Sequence, residues 1–192
     1  NMQASHLRST NPKATIDTSE YDINATLTEA YTADHSNTIA GETVMSGAAE
    51  FVDVLMVGAG LAGIGSACQL RRKSPELSFT VLESRAVSGG TWDLFRYPGI
   101  RSDSDMYTYS YGFKPWVKKS AIADGDTILE YIREAADEYD LNRHIRYNHK
   151  VVSAQWSSTD NFWTVTAARS DPQSDTEEPL TIRCRFILSC SG

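Results

Sequence analysis

An α/β fold with a parallel sheet at its centre follows from three observations on this sequence. A nearly continuous apolar run, Val52–Val57, breaks into Gly58-Ala59-Gly60-Leu61-Ala62-Gly63. A helical apolar pattern starts at once from Leu61, and a second apolar run ends at the acid Glu83, about 20 residues past the third glycine. Farther along, the apolar period changes from that of a helix to that of strands, which adds a β-meander.

Each element has its own reason. Val52–Val57 is apolar on both faces, as a buried parallel strand must be. Leu61–Lys73 is a helix, with Leu61, Ile64, Ala67/Cys68 and Leu70/Arg71 near helical spacing and Pro75 marking its exit. Its Arg71-Arg72-Lys73 end reads as a solvated terminus favoured by the helix dipole. Ser78–Leu82 is the second strand. Ala86–Gly112 has no period, and loops of that length in a compact domain are usually functional. Asp126–Tyr139 is a helix whose inner face is Ile128, Tyr131/Ile132, Ala135 and Tyr139. Thr127 and Glu130 have capping-box spacing there, with Asp126 as a competing N-cap. Val151–Trp156 and Phe162–Ala168 are strands joined by the polar turn Ser157–Asn161. An acidic loop, Ser170–Pro179, leads to a last strand, Thr181–Ser189, and to Cys190-Ser191-Gly192. Residues 1–50 are rich in Ser, Thr, Asn and Asp without a sustained apolar period, and read as a flexible N-terminal arm with one possible helical turn at Tyr21–Tyr31.

Composition removes several classes of function. A net charge of −7 over 192 residues argues against a nucleic-acid binder. No apolar run reaches the length of a transmembrane segment, and the N-terminus lacks a signal core. Cys68, Cys184 and Cys190 form no CxxC pair. Along an extended strand Cys184 and Cys190 lie about 20 Å apart, too far for a disulfide. A reduced, cytoplasmic location is expected. The four histidines lack metal-ligand spacing, and His144 and His149 read as surface residues near a turn.

The glycines and the acid together make a dinucleotide fingerprint, and each part has a mechanical role. Gly58 makes the tight turn out of the strand, Gly60 lets backbone approach a pyrophosphate, and Gly63 lets the helix pack close to the strand. The helix N-terminus offers unpaired N–H groups and partial positive charge to phosphates. Glu83 is placed to accept hydrogen bonds from a ribose diol. A second motif follows: Gly89-Gly90-Thr91-Trp92, then Arg96-Tyr97-Pro98-Gly99-Ile100-Arg101-Ser102-Asp103, then Tyr107, Tyr109 and Tyr111. Gly89-Gly90 permits backbone close to a ligand, and Pro98-Gly99 suits a tight turn that aims Arg101 and Asp103.

On these residues, Phe51–Gly192 resembles the N-terminal part of class B flavoprotein monooxygenases, especially Baeyer–Villiger monooxygenases. The resemblance implies a Rossmann-like FAD-binding domain with a β-meander, within a flavoprotein of two dinucleotide-binding domains. FAD is implied on the first site. Gly58, Gly60, Leu61, Ala62 and Gly63 would line its pyrophosphate, and Glu83 would hold the adenosine ribose. Gly90, Thr91, Trp92, Asp93 and Leu94 would run toward the isoalloxazine. Asp103 would sit beside the flavin as the candidate catalytic residue, a carboxylate placed to orient a cationic partner, with Tyr109 nearby, and the Val151 backbone would meet the adenine. Arg101, Ser102 and Asp103 would face NADPH. Other readings stay open: Trp92 as core, Asp103 as a loop cap, Tyr107 and Tyr111 as packing.

The implied activity is NADPH- and O2-dependent oxidation of ketones to esters or lactones, with oxygen activated on the flavin. Trp92-Asp93-Leu94-Phe95 departs from the more aromatic run of cyclic-ketone enzymes, so a sulfide substrate stands beside the ketone. An N- or S-oxygenating flavin monooxygenase and a non-catalytic FAD-binding module are the alternatives. No second GxGxxG is present. The NADPH domain and the C-terminal part are therefore expected to lie outside this chain, which alone would be incomplete and inactive. No cysteine lies between Cys68 and Cys184, which argues against a dithiol relay.

Overall fold

Every described strand joins one sheet. The computed structural model describes residues 50–171 and 176–191. The order of elements is β1 (Glu50–Val57), α1 (Leu61–Lys73), β2 (Phe79–Leu82), α2 (Thr91–Leu94), α3 (Met106–Tyr109), α4 (Gly125–Glu138), β3 (Ile145–Arg146), β4 (His149–Ser157), β5 (Phe162–Asp171) and β6 (Thr176–Ser189). The strand order is β3-β2-β1-β6-β5-β4. β3, β2, β1 and β6 run parallel, while β4, β5 and β6 form the antiparallel meander. The expected α/β fold with a returning strand is what the chain adopts. The arm expected over residues 1–50, with its possible turn at Tyr21–Tyr31, lies outside the described residues except for Glu50, which opens β1.

Two cores hold the layers. On one face of the sheet, Val54, Met56 and Val81 meet Ile64 and Ala67 of α1 and Ile128, Ile132 and Ala135 of α4. Helical spacing on α4 puts its apolar residues on one stripe, and that stripe is the buried one. On the other face, Val52, Leu55 and Leu82 meet Val165, Ala167, Ile182 and Cys184 of the meander. The meander curls back far enough for His149 N to donate to the Glu83 carbonyl oxygen (2.8 Å). Phe51, Phe186 and Leu188 remain exposed.

Several local expectations are corrected. Residues 86–112 hold two one-turn helices, α2 and α3. β3 pairs with β2 through Val81↔Ile145 and Leu82↔Arg146; a two-residue strand has no period to read. Asp124, not Asp126 or Thr127, occupies the N-cap of α4, without a side-chain capping bond. The loop expected at Ser170–Pro179 is largely strand, because β5 and β6 pair out to Asp171↔Thr176, with residues 172–175 outside the described set. Pro179 is tolerated there because the described pairing of β1 with β6 begins only at Glu50↔Ile182, so Pro179 has β5 on one side alone.

His144 also differs from expectation. Its ring stacks on Phe79, with centroids 4.4 Å apart and planes at 19°. Burial lowers its pKa below the ordinary imidazole value, and Arg143 and Arg71 add to the effect. The neutral ring therefore favours the fold. Its contribution is present above the unfolded pKa of about 6.5 and is lost as pH falls toward the lowered folded value. In urea unfolding, the wild-type midpoint should fall between pH 8 and pH 5 by more than that of His144→Phe.

Candidate functional site: a cleft between two glycine turns

The carboxyl ends of β1, β2 and β6 open into a cleft of about 660 Å³. Ligands of open α/β sheets bind at this end of the strands, and the volume is within the usual range of small-molecule sites. The first wall is the turn after β1. Gly58 takes φ +100, and Gly60 is the N-cap of α1, with no side chain capping it. The N–H groups of Leu61, Ala62 and Gly63 have no carbonyl one turn earlier to bond, so they are available to an anion. A Cβ on Gly63 would lie 1.9 Å from the Gly58 carbonyl oxygen, which is why the helix can start so close to the strand.

The second wall is the Gly89–Gly90 turn, which leads into α2. It is tied to the first by Gly89 N donating to Ala59 O (2.9 Å). Gly90 takes φ +53, and a Cβ there would come within 2.9 Å of Gly60 Cα. The two turns thus touch through their glycines and leave a backbone-lined cradle.

Glu83 stands at the floor, just past β2. It is only 6% exposed. Its Oε2 accepts from Ala59 N (2.8 Å), and its Oε1 accepts from Arg85 N (2.8 Å). Two backbone donors fix the carboxylate, and its remaining lone pairs can serve a ligand diol. Trp92 Nε1 donates to Tyr109 Oη (3.1 Å), and the two rings meet edge-on at 6.2 Å on the far wall. Trp92 lines the cleft and also packs against the core. Behind this wall, Tyr111 Oη donates to Leu61 O (2.6 Å), and its ring covers Gly65. Burial raises the Tyr111 phenol above its ordinary range, which keeps the donor protonated. Tyr111 is a packing residue.

The cleft gathers most of the residues singled out from sequence: Gly58, Gly60, Leu61, Ala62, Glu83, Gly90, Thr91, Trp92, Leu94 and Tyr109. Gly63 lies buried in α1 directly behind them. The side chain of Asp93 is buried in a cluster with Arg85, Arg96 and Arg133, away from the lining. Ser102 is buried, and its Oγ accepts from Ala123 N (3.1 Å). Arg101 is exposed, and its backbone forms an isolated antiparallel β-bridge with that of Asp124. Asp103 is exposed on the same segment, outside the cleft lining. Val151 packs into the second core, two residues past the His149 that bonds to Glu83. Ser84, Arg85, Gly89, Phe95, Cys190 and Ser191 complete the lining. Sequence reasoning passed over Arg85, although its place two residues after Glu83 was a usable signal.

The thiols differ sharply. Burial pushes Cys68 up to about 12 and Cys184 up to about 11. Both are inert at neutral pH. Cys190 is only partly buried and lines the cleft. Thiol alkylation at pH 7.5 should therefore modify Cys190 first, and a cleft ligand should slow that step by about tenfold; peptide mass spectrometry would follow it. Among the described residues, no group of His, Cys, Asp and Glu could hold a metal ion, and no helix is long and apolar enough to cross a membrane.

A parallel sheet, a glycine turn feeding an uncapped helix N-terminus, and an acid at the end of β2 define a Rossmann-like dinucleotide-binding domain. Residues 56–120 match the family model described as an NAD(P)-binding Rossmann-like domain. The FAD-containing monooxygenase EthA of Mycobacterium tuberculosis is 49% identical over 143 residues, covering 74% of this chain and 28% of that protein. A steroid monooxygenase solved with NADP has a TM-score of 0.64 at 32% identity, covering 74% of this chain and 26% of that one. The monooxygenase OTEMO, solved with FAD and NADP, gives 0.61 at 34% identity, covering 73% and 26%. The chain thus carries an NAD(P)-binding Rossmann-like domain, its relatives are FAD-containing monooxygenases, and its structural neighbours are Baeyer–Villiger monooxygenases. It spans 28% of the length of the EthA relatives it matches.

Proposed function

We propose that this chain forms the FAD-binding portion of an NADPH- and O2-dependent monooxygenase that converts ketones to esters or lactones. The observation that carries the reading is the cradle itself. Two touching glycine turns, an uncapped helix N-terminus and an oriented carboxylate suit a diphosphate joined to a ribose with a free diol. Relatives described as FAD-containing, and a neighbour solved with both FAD and NADP, support FAD on this site. NADPH would occupy a second domain.

The chain's residues would divide the work as follows. The N–H groups of Leu61, Ala62 and Gly63 would hold the pyrophosphate, with the α1 dipole adding to the attraction. Glu83 would orient the adenosine ribose. Gly90, Thr91 and Leu94 would follow the cofactor toward its ring. Trp92, fixed by its bond to Tyr109, would present an apolar wall that excludes water. Bound flavin would supply the activation of O2. Arg101, Ser102 and Asp103 would face the nicotinamide cofactor, and Asp103 would orient a cationic partner near the flavin. One oxygen atom of O2 enters the substrate and the other leaves as water, with NADPH as the two-electron donor. Three unpaired cysteines fit a reducing, cytoplasmic setting.

Product analysis of the whole enzyme under ¹⁸O2 tests the activity. A ketone turned into an ester carrying one ¹⁸O atom, with matched NADPH consumption, is the expected result. Sulfoxide from a sulfide, with no ester from any ketone, would replace this reading with S-oxygenation. FAD binding with no substrate oxidised would support the binding-module alternative.

A further inference from the structure

The side chain of Asp93, expected along the cofactor, lies outside the lining of the cleft. Its carboxylate is 6% exposed and touches three arginines. Oδ2 accepts from Arg85 Nη2 (2.5 Å). Oδ1 accepts from Arg96 Nη2 (2.7 Å) and Arg133 Nη2 (3.0 Å). A buried carboxylate is costly unless its oxygens are satisfied, and here both are. Arg96 and Arg133 line a separate groove with Asp126, Glu130, Glu134 and Asp137, so they anchor Asp93 from outside the cleft. Arg85 is different because it lines the cleft itself.

The position of Arg85 raises a question of selectivity. In this fold, an acid at the end of the second strand selects a free ribose diol, whereas an arginine nearby accommodates a 2′-phosphate. This chain carries both, Glu83 and Arg85, two residues apart. The outcome depends on where the guanidinium is held. Its Nη2 is on Asp93, and its Nη1 donates to the Gly90 carbonyl (3.3 Å). Its backbone N–H is on Glu83 Oε1. Charge-assisted bonds to a carboxylate are the strong kind, so Asp93 sets the pose of Arg85.

We propose that Asp93 is a positioning residue for cofactor choice: by holding Arg85 against the second glycine turn, it withholds that guanidinium from a 2′-phosphate and keeps the cleft selective for an adenosine with a free diol. The inference rests on the reading of this cleft as the FAD site. Its consequence is plain for an enzyme that also uses NADPH. The 2′-phosphorylated cofactor is kept out of the first cleft and left to the second domain.

Calorimetric titration with ADP-ribose and 2′-phospho-ADP-ribose tests this, with an FAD titration run alongside. The wild-type chain should prefer ADP-ribose. Asp93→Asn should move the affinity ratio toward the 2′-phosphate ligand by about tenfold, the scale of one charge-assisted hydrogen bond. Adding Arg85→Ala to that variant should abolish the shift. Arg85→Ala alone should cost the 2′-phosphate ligand no more than it costs ADP-ribose, because Asp93 already holds that side chain against the second glycine turn. Equal weakening toward both ligands in Asp93→Asn would overturn the proposal and leave Asp93 a purely structural residue. A tenfold loss for the 2′-phosphate ligand relative to ADP-ribose in Arg85→Ala alone would overturn it too, even if Asp93→Asn failed to fold. Binding of ADP-ribose without binding of FAD would count against the FAD reading alone.

Discussion

Gly63→Ala should be the most damaging conservative substitution in the described chain. The added methyl would lie 1.9 Å from the Gly58 carbonyl oxygen and 3.0 Å from its carbon. Both atoms are backbone, so no side chain can swing aside. To make room, α1 must lift from β1, and the first glycine turn must open with it. Overpacking of this kind costs about 1–3 kcal/mol and occasionally more, a large share of the roughly 5–15 kcal/mol that stabilises a typical domain. FAD affinity should fall by at least about tenfold, because the turn that moves is the one proposed to meet the pyrophosphate. Urea unfolding and FAD titration of the same preparation would measure both effects. Gly112→Ala is the matched control. A Cβ there would meet nothing within 4 Å, so its effect should stay within about 0.5 kcal/mol.

Glu83→Ala should give the second large effect, concentrated on binding. The carboxylate accepts the N–H groups of Ala59 and Arg85 and is nearly buried. Its removal takes away the proposed acceptor for a ribose diol and leaves the Ala59 donor unpaired at the floor of the cleft. Loss of a charge-assisted contact of about 1.5–3 kcal/mol predicts roughly a ten- to hundredfold fall in FAD affinity. The loss should follow the adenosine half. ADP should weaken in parallel with FAD, and flavin mononucleotide, which has no adenosine, should be unaffected. Competition titrations with the three ligands would check this. An equal loss for all three would mean that Glu83 acts by holding the turn rather than by holding the ribose.

Much of the fold was legible because local demands repeat in the sequence. Val54–Val57 is apolar at consecutive positions because both faces of β1 are covered. Gly58, Gly60 and Gly63 could be read because each answers a single steric requirement, and the contacts at Gly58 and Gly63 now show it. The inner stripe of α4 was visible as period. β3 was not, since Ile145–Arg146 is defined only by pairing with β2, not by any local pattern. α2 and α3 are single turns held by their surroundings, too short for propensity to decide.

Within the site, Glu83 and the residues of the two glycine turns were readable from spacing. The fate of Asp93 was not. Its three arginine partners come from positions 85, 96 and 133, on three different stretches of chain. Beside Trp92 in a glycine-rich motif, an acid looks like a ligand contact. Only the packing of α4 against α2 brings Arg133 to it. The position of Arg85, two residues after Glu83, is visible in the sequence, but the direction of its guanidinium depends on Asp93.

The most direct test of the central claim is an equilibrium titration of this chain with FAD, followed by flavin fluorescence. Saturable one-to-one binding, reversed by excess ADP-ribose and weakened in Glu83→Ala, is the predicted result. A chain that unfolds cooperatively yet shows no saturable binding of FAD would contradict the account, because the two glycine turns and Glu83 would then form a cradle that holds no flavin dinucleotide.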